Sequence, residues 1–213
     1  PLFRSSAASD VYKRQPITLS GSRVYDATTT VSNSDLTTFN NIVSGEALAI
    51  TGSGTVADQN VGTNKNVTLG TLALANNTAS ASNYSLSSAT LNITQRPLNI
   101  TATKAYDGNT TITSGSVTLS NLSGGQTINT SGSITTNSAN VASYGTSDIT
   151  VSSLSLADGT GAASNYTLSG GTYSASVTQK ILGLTGSRIY NATTTASSSD
   201  LSLSGLVLSL IHI

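Results

Sequence analysis

The sequence predicts an all-β protein of tandem small β-sandwich (immunoglobulin-like) domains in an elongated rod. Three observations predict it: a hydroxyl-rich composition, apolar side chains two apart, and a repeat of about 82 residues. Of 213 residues, 37 are serine and 34 threonine, beside 19 glycines and 18 asparagines, while 8% are charged and one is glutamate. Such a chain suits strands and turns, not helices. Leu, Ile, Val and Phe number 49, above the range that predicts disorder at high net charge. No apolar run approaches the ~20 residues of a membrane span. A net charge of zero supplies no field for gripping nucleic acid. Without cysteine there is no disulfide framework, thiolate metal site or thiol nucleophile.

Taken in order, the strand signals are pairs of apolar residues separated by one polar residue. Ile17 and Leu19, Leu48 and Ile50, Val67 and Leu69, and Leu91 and Ile93 come first, followed by Ile149 and Val151 and by Leu154 and Leu156. Each pair aims one row at a core and leaves Ser, Thr and Asn facing water, as half-buried antiparallel strands do. The alternation changes parity at Gly70-Thr71, Ser87-Ser88 and Ser152-Ser153. A one-residue shift turns the following side chains to the other face, so each step marks a bulge, a tight turn or a strand passing between sheets. About seven short strands between Gly, Asn and Ser turns in each repeat suggest a small sandwich. Residues 35–48 form the one stretch compatible with a helical turn. They keep a β-grasp-like repeat unit open as the alternative.

The repeat is anchored at three places. Gly21-Ser22-Arg23-Val24-Tyr25-Asp26-Ala27-Thr28-Thr29-Thr30 returns as Thr101 to Thr110, with Lys104-Ala105-Tyr106-Asp107-Gly108, and again as Gly186 to Thr195, with Arg188-Ile189-Tyr190-Asn191-Ala192. Asn83-Tyr84-Ser85-Leu86 returns as Asn165-Tyr166-Thr167-Leu168, and Ile93-Thr94-Gln95-Arg96-Pro97-Leu98 as Val177-Thr178-Gln179-Lys180-Ile181-Leu182. The period is too long for one solenoid coil and right for an autonomous domain. Two whole units are expected at 17–97 and 98–180, with the first third of another at 181–207. The junctions leave almost no linker, which is why a rod is expected.

The two ends read as foreign. Ser5 to Gln15 resembles the translation of a transposase adapter used in sequencing libraries, and Leu208 to Ile213 resembles the translation of its complementary strand. Segments 1–16 and 208–213 are therefore set apart from the repeats. Without them the chain keeps six basic and eight acidic side chains and loses its single histidine, His212.

The Tyr106-Asp107-Gly108 segment and the Asn-Tyr-(Ser/Thr)-Leu motif carry a family resemblance, joined by Asn60-Val61-Gly62-Thr63-Asn64-Lys65-Asn66-Val67-Thr68-Leu69. Together they resemble the YDG repeat of filamentous-haemagglutinin-like bacterial surface adhesins. Unit two departs at Ala139 to Gly145, and only Tyr106 to Gly108 shows all three name-giving residues. The resemblance implies an extracellular or outer-cell-surface protein with a role in attachment. It implies no catalytic site.

The recurrent polar residues have structural roles to fill. Tyr packs its ring while its hydroxyl finds a partner, and Asp or Asn caps a turn; the exchange of Asp107 and Gly108 for Asn191 and Ala192 suits a turn and not acid–base chemistry. Arg23, Lys104 and Arg188 place one cation two residues before each tyrosine. They read as solvated or edge-strand charges that discourage aggregation, or as a ladder for acidic glycans. Asp158-Gly159-Thr160-Gly161 resembles a calcium-loop fragment but offers one carboxylate where six to eight oxygens are needed. Ten Asn-x-Ser/Thr triplets, from Asn66 to Asn191, mark glycosylation sites only where a transferase exists. No catalytic, cofactor or metal residue is expected, and no enzyme activity, because no nucleophile–base–orienter set can be assembled. The expectation is a non-catalytic stalk repeat that projects a binding region for attachment, its partners the neighbouring repeats of its parent chain. The alternative is units that themselves bind host glycans or matrix proteins.

Overall fold

Alternating rows become strands wherever one face can be covered, and here nearly every row is. The computed structural model describes residues 14–207, among which the chain is all-β with no α-helix. The expectations placed on residues 1–13 and 208–213, including His212, lie outside the described residues. The fold divides between Arg96 and Pro97 into two compact units.

The first unit contains β1 (Gln15–Val24), β2 (Thr30–Ser32), β3 (Thr38–Asn40), β4 (Leu48–Thr51), β5 (Ser53–Val56), β6 (Gly62–Thr68), β7 (Ala73–Asn76) and β8 (Tyr84–Thr94). Six of them form one sheet in the order β2-β5-β6-β8-β1-β3, and β4 pairs with β7 alone. β1 takes in Gln15 and Pro16, which lie opposite Tyr84 and Ser85. Its inward row of Ile17 and Leu19 is buried with Ala89, Leu91 and Ile93 of β8 and with Val31, Leu48, Ile50, Val56 and Val67.

β9 (Arg96–Pro97) stands at the division. The second unit then runs β10 (Asn99–Ala105), β11 (Thr111–Thr113), β12 (Val117–Ser120), β13 (Ile128–Thr136), β14 (Ala142–Tyr144), β15 (Ile149–Thr150), β16 (Leu154–Asp158), β17 (Tyr166–Thr167), β18 (Tyr173–Thr178), β19 (Gly183–Gly186) and β20 (Leu201–Ser204). Its core gathers Ile100, Ala102, Ile112, Ile134, Tyr144, Ile149, Leu154, Ala175 and Val177. One sheet has the order β12-β10-β18-β14, and β13 pairs with β11, β15 and β16.

Antiparallel pairing throughout, expected from the alternation, gives way to mixed sheets. β1 runs parallel to β8, and β10 runs parallel to β18. Alternation fixes which face a side chain takes and is silent on strand direction. A parallel neighbour needs a long crossover, and the chain between β1 and β8, and between β10 and β18, supplies it.

The three parity changes fall where the alternation places them. Ser87 is the extra residue of a bulge, since Ile17 lies opposite Leu86 and Thr18 opposite Ser88, and its hydroxyl donates to the Ile17 carbonyl at 2.8 Å. Gly70-Thr71 and Ser152-Ser153 are tight turns, closed by Leu72 N–H to Leu69 O at 2.8 Å and Leu154 N–H to Val151 O at 2.9 Å. The stretch 35–48, however, holds only the last residue of one helical turn, Asp35. The helical turns among the described residues are short 3-10 turns at Asn33–Asp35, Ala81–Asn83, Ser114–Ser116, Thr146–Asp148, Ala163–Asn165 and Ser198–Asp200, each followed by a strand.

A further sheet crossing is shared by both units. Gly52, between β4 and β5, has φ +81° and lies where a Cβ would come within 2.1 Å of the Thr71 carbonyl oxygen; Gly132, inside β13, has φ +88° and would place one 2.0 Å from that of Ser153. Only glycine meets both demands. Before this point the strand pairs with β7 or β16, and beyond it with the partners of the neighbouring sheet.

Candidate functional site

The residues that repeat most faithfully converge on one turn after the first strand of each unit. Arg23 Nη2 donates to Thr28 O at 2.6 Å, and its Nη1 to Thr30 O. Lys104 Nζ donates to Asn109 O and, at 3.0 Å, to Thr111 O. Arg188 donates to Thr193 O and Thr195 O, and to Thr193 Oγ1 at 2.8 Å. In all three copies, therefore, the cation closes on the carbonyls five and seven residues ahead. The side chains of Arg23 and Lys104 are only 9% and 10% exposed. They are not the solvated strand charges expected, and the donors an acidic glycan would use are turned onto the chain's own backbone.

The Asp or Asn after each tyrosine folds the same turn from inside. Asp26 Oδ1 accepts from Thr28 N at 3.0 Å, Asp107 Oδ1 from Asn109 N at 2.9 Å, and Asn191 Oδ1 from Thr193 N at 3.2 Å. These are Asx turns, which accept either residue because only the carbonyl-type oxygen is used. The next residue is left-handed in every copy, with φ of 63° at Ala27, 79° at Gly108 and 60° at Ala192. Glycine fits that position without strain; the two alanines hold it against a cost of about 1–2 kcal/mol. Lys104 lies 2.7 Å from Asp107 Oδ1. That hydrogen bond, with the one from Asn109 N–H, holds the Asp107 carboxyl below the usual carboxylate range.

Tyr25 is fully buried and donates its N–H to Thr94 O at 2.9 Å, while Tyr106 is half-buried and donates to Thr178 O at 2.8 Å. Each thus stitches the turn to the end of the parallel neighbour strand, β8 or β18. Tyr84 and Tyr166, also buried, serve a different loop. The hydroxyl of Tyr84 donates to Glu46 and accepts from Val43 N at 3.3 Å; that of Tyr166 donates to Gln126 Oε1 at 2.7 Å and accepts from Ser123 N at 3.2 Å. The single glutamate is matched by a glutamine in the second unit, so its charge is not what the position uses.

The Asp158-Gly159-Thr160-Gly161 fragment is also a turn. Asp158 Oδ1 accepts from Ala163 N at 2.7 Å, as Asn76 Oδ1 accepts from Ala81 N at 2.8 Å. Thr160 Oγ1 accepts from Thr127 N at 2.8 Å, as Thr78 Oγ1 accepts from Ala47 N at the same distance. The carboxylate thus does what an asparagine does in the first unit.

One exchange was not visible in the sequence. Lys65 lies opposite Leu91 and Tyr144 opposite Ala175, which are equivalent places on β8 and β18. Lys65 Nζ donates to Asn60 O at 2.8 Å, and Tyr144 Oη to Asn140 O at 2.6 Å. Different side chains close the same loop because a bulge at Asn64, with φ 52°, adds one residue to β6. Matching the two units by pairing partner, instead of by sequence, reveals it.

No helix among the described residues is long and apolar enough to cross a membrane. In comparisons with known proteins, a model of the YDG domain matches residues 13–91 and, a second time, residues 93–176. No curated protein and no solved structure matches the chain.

Proposed function

The chain belongs to the YDG domain family, and from that premise we propose that it is a stretch of spacer repeats from a large secreted or cell-surface bacterial protein of the filamentous-haemagglutinin-like kind. Its units carry a binding region away from the surface and do not perform chemistry. The observation that supports this most is the use made of the repeated polar residues. Arg23, Lys104 and Arg188 donate to carbonyls of their own turns, and Asp26, Asp107 and Asn191 accept from backbone N–H groups two residues on. Side chains kept for a ligand would be left facing solvent; these are spent on shape.

We read each unit as a small sandwich, because the crossings at Gly52 and Gly132 pass one strand from a hairpin partner to a neighbouring sheet. A repeat held by its own turns is suited to tandem use, since each copy needs little from a ligand to be ordered. The terminal segments 1–16 and 208–213 are read as additions from library preparation, which sequencing of the parent gene would test.

Array binding of the full chain against neutral and acidic glycans and matrix proteins distinguishes spacing from binding. The spacer reading expects no saturable signal at micromolar concentration. Saturable binding that survives charge reversal of exposed acidic residues would replace it with direct attachment through the units.

A further inference from the structure

The sequence contains two Asp-Gly steps, Asp107-Gly108 and Asp158-Gly159. At such a step the amide nitrogen of the glycine can attack the aspartyl Cγ, because the glycine carries no side chain to stand in its way. The amide proton and the carboxyl hydroxyl leave as water, and a five-membered succinimide forms. Water then re-enters at either carbonyl of the ring and gives back aspartate or isoaspartate. Nothing is oxidised or reduced, and no co-reactant besides water is needed.

The fold treats the two steps differently. Gly159 N–H donates to Gly161 O at 3.1 Å, and a Cβ on Gly159 would come within 2.4 Å of Thr127 O, so this glycine is both bonded and packed. Asp158 lies opposite Ile128 at the end of β16, its carbonyl accepts from Asn129 Nδ2 at 2.6 Å, and its Oδ1 accepts from Ala163 N at 2.7 Å. Asp107 lies past the end of β10, with its side chain 48% exposed. Its Oδ1 accepts from Asn109 N at 2.9 Å, which folds the carboxyl forward along the chain over the intervening Gly108. Among the described residues, Gly108 N–H donates to no acceptor. The other copies of this turn place alanine here, Ala27 and Ala192, with left-handed φ of 63° and 60°. A methyl group at that position crowds the attacking nitrogen. The second unit alone combines an unstrained turn with an open route to the ring.

We propose that Asp107 is a site of spontaneous isoaspartate formation in the folded chain, and that the change unfastens the turn closed by Lys104. The hydrogen bond from Lys104 Nζ, at 2.7 Å, keeps the Asp107 carboxyl ionised near neutrality, so the reaction runs there through the small neutral fraction and is slow. It is a change of ageing, hastened by mild acid. Isoaspartate routes the backbone through Cβ and Cγ and so inserts one methylene between Asp107 and Gly108. The oxygen that accepted from Asn109 N becomes part of the main chain, and the carbonyls of Asn109 and Thr111 move out of the register in which Lys104 Nζ reaches both.

The test ages the full chain in mildly acidic buffer, folded and, in parallel, unfolded in guanidinium chloride, and locates isoaspartate by electron-transfer fragmentation of proteolytic peptides. In the folded chain it should accumulate several-fold faster at Asp107 than at Asp158, whereas in the unfolded chain the two steps should run at similar rates. Gly108→Ala, which gives this turn the residue of the other copies, should lower the rate at Asp107 several-fold. The isomerised fraction should show several-fold faster amide exchange at residues 109–113 and unchanged exchange at residues 28–32. Equal rates at the two steps in the folded chain, a preference for Asp107 that persists in guanidinium, an undiminished rate in Gly108→Ala, or unaltered exchange at 109–113 would each overturn the proposal.

Discussion

Lys104 donates from Nζ to the carbonyl oxygen of Thr111, seven residues ahead, at 3.0 Å. Arg23 and Arg188 reach Thr30 and Thr195 in the same way, so the relationship survives a change of cation and holds in the third copy, where no strand of the β8 type is paired among the described residues. The turn is thus a local device. Hydrogen bonds from a charged donor contribute about 1.5–3 kcal/mol each when the partner would otherwise be left without one. Removing the head by Arg23→Ala or Lys104→Ala should destabilise its own unit by about 2–3 kcal/mol in urea titrations. Arg23→Lys should cost less than about 1 kcal/mol, because Lys104 already fills the role and Arg23 Nε is buried without a partner. Equal losses for the alanine and lysine variants would show that the head is not what holds the turn.

The glycines separate backbone strain from steric exclusion. Gly45 and Gly52 share nearly the same φ, +85° and +81°, but a Cβ at Gly45 meets nothing within 4 Å and one at Gly52 would lie 2.1 Å from Thr71 O. Gly45→Ala should therefore cost about 1 kcal/mol, the price of left-handed backbone alone. Gly52→Ala should cost about 3 kcal/mol or more, since the carbonyl it strikes is part of the sheet crossing. Gly132→Ala should behave as Gly52→Ala does. Chemical denaturation of the three variants checks the order, and a Gly45→Ala loss as large as that at Gly52 would contradict it.

Much of this architecture could be read before any coordinates, and the reasons for the remainder are specific. Ile17, Leu19, Leu91 and Ile93 showed their buried face through spacing alone, and Ser87 showed its bulge because a parity change has few other causes. The parallel course of β8 beside β1 left no such trace, since Leu91 points inward whichever way its strand runs. The work of Arg23 was hidden for another reason. Its acceptors are carbonyls, which every residue owns, so no pattern of side chains marks Thr28 and Thr30 as its partners. Gly52 and Gly132 did carry a signal, being equivalent glycines in the two repeats, but glycine is frequent enough here that recurrence alone singled out neither.

Tyr84 and Tyr166 test how far a hydroxyl holds a loop. Each donates to one side chain, Glu46 or Gln126, and accepts one backbone N–H, from Val43 or Ser123. Tyr84→Phe leaves that N–H and the Glu46 carboxylate without the oxygen and should cost about 1–2 kcal/mol. Glu46→Gln should be nearly neutral, because the second unit uses glutamine at this place. Thermal melts of the two single variants and of the pair give the coupling; a large loss from Glu46→Gln alone would show that the charge matters.

The acid limb of stability should come from the carboxylates tied to backbone and cations. Hydrogen bonds from Lys104 and the Asn109 N–H lower the Asp107 carboxyl, those from Ser197 lower Asp200, and those from Lys65 and the Asn60 N–H lower Asp58. A folded-state value below the unfolded one stabilises above the unfolded value of about 4 and is lost as pH falls through the folded value. Burial raises the Tyr173 phenol, which has the opposite sign: its contribution is present below about 10 and is lost as pH rises through the folded value. Melting temperature should thus fall below about pH 4 and above about pH 10. Asp107→Asn should flatten part of the acid limb while keeping the Asx turn, as Asn191 does.

Lys65 and Tyr144 offer the sharpest comparison between the units, because two unlike side chains close one loop from the same register. Lys65 Nζ lies 2.6 Å from Asp58 Oδ1 and 2.8 Å from Asn60 O. Tyr144 makes only the second of these bonds, from its hydroxyl to Asn140 O. The ion pair is therefore an addition of the first unit, and its effect should appear in the acid and not in the loop. Lys65→Ala should move the Asp58 titration up toward the ordinary carboxylate value, read by NMR of the side-chain carboxyl carbon, since the lysine is the largest cause of its lowering. Lys65→Met should do the same while retaining the aliphatic cover over β6. Tyr144→Phe should leave Asp58 where it is and release the Asn140 carbonyl, seen as a chemical-shift change confined to residues 138–144. An Asp58 titration unmoved by either lysine variant would show that the Asn60 N–H, and not the cation, sets it.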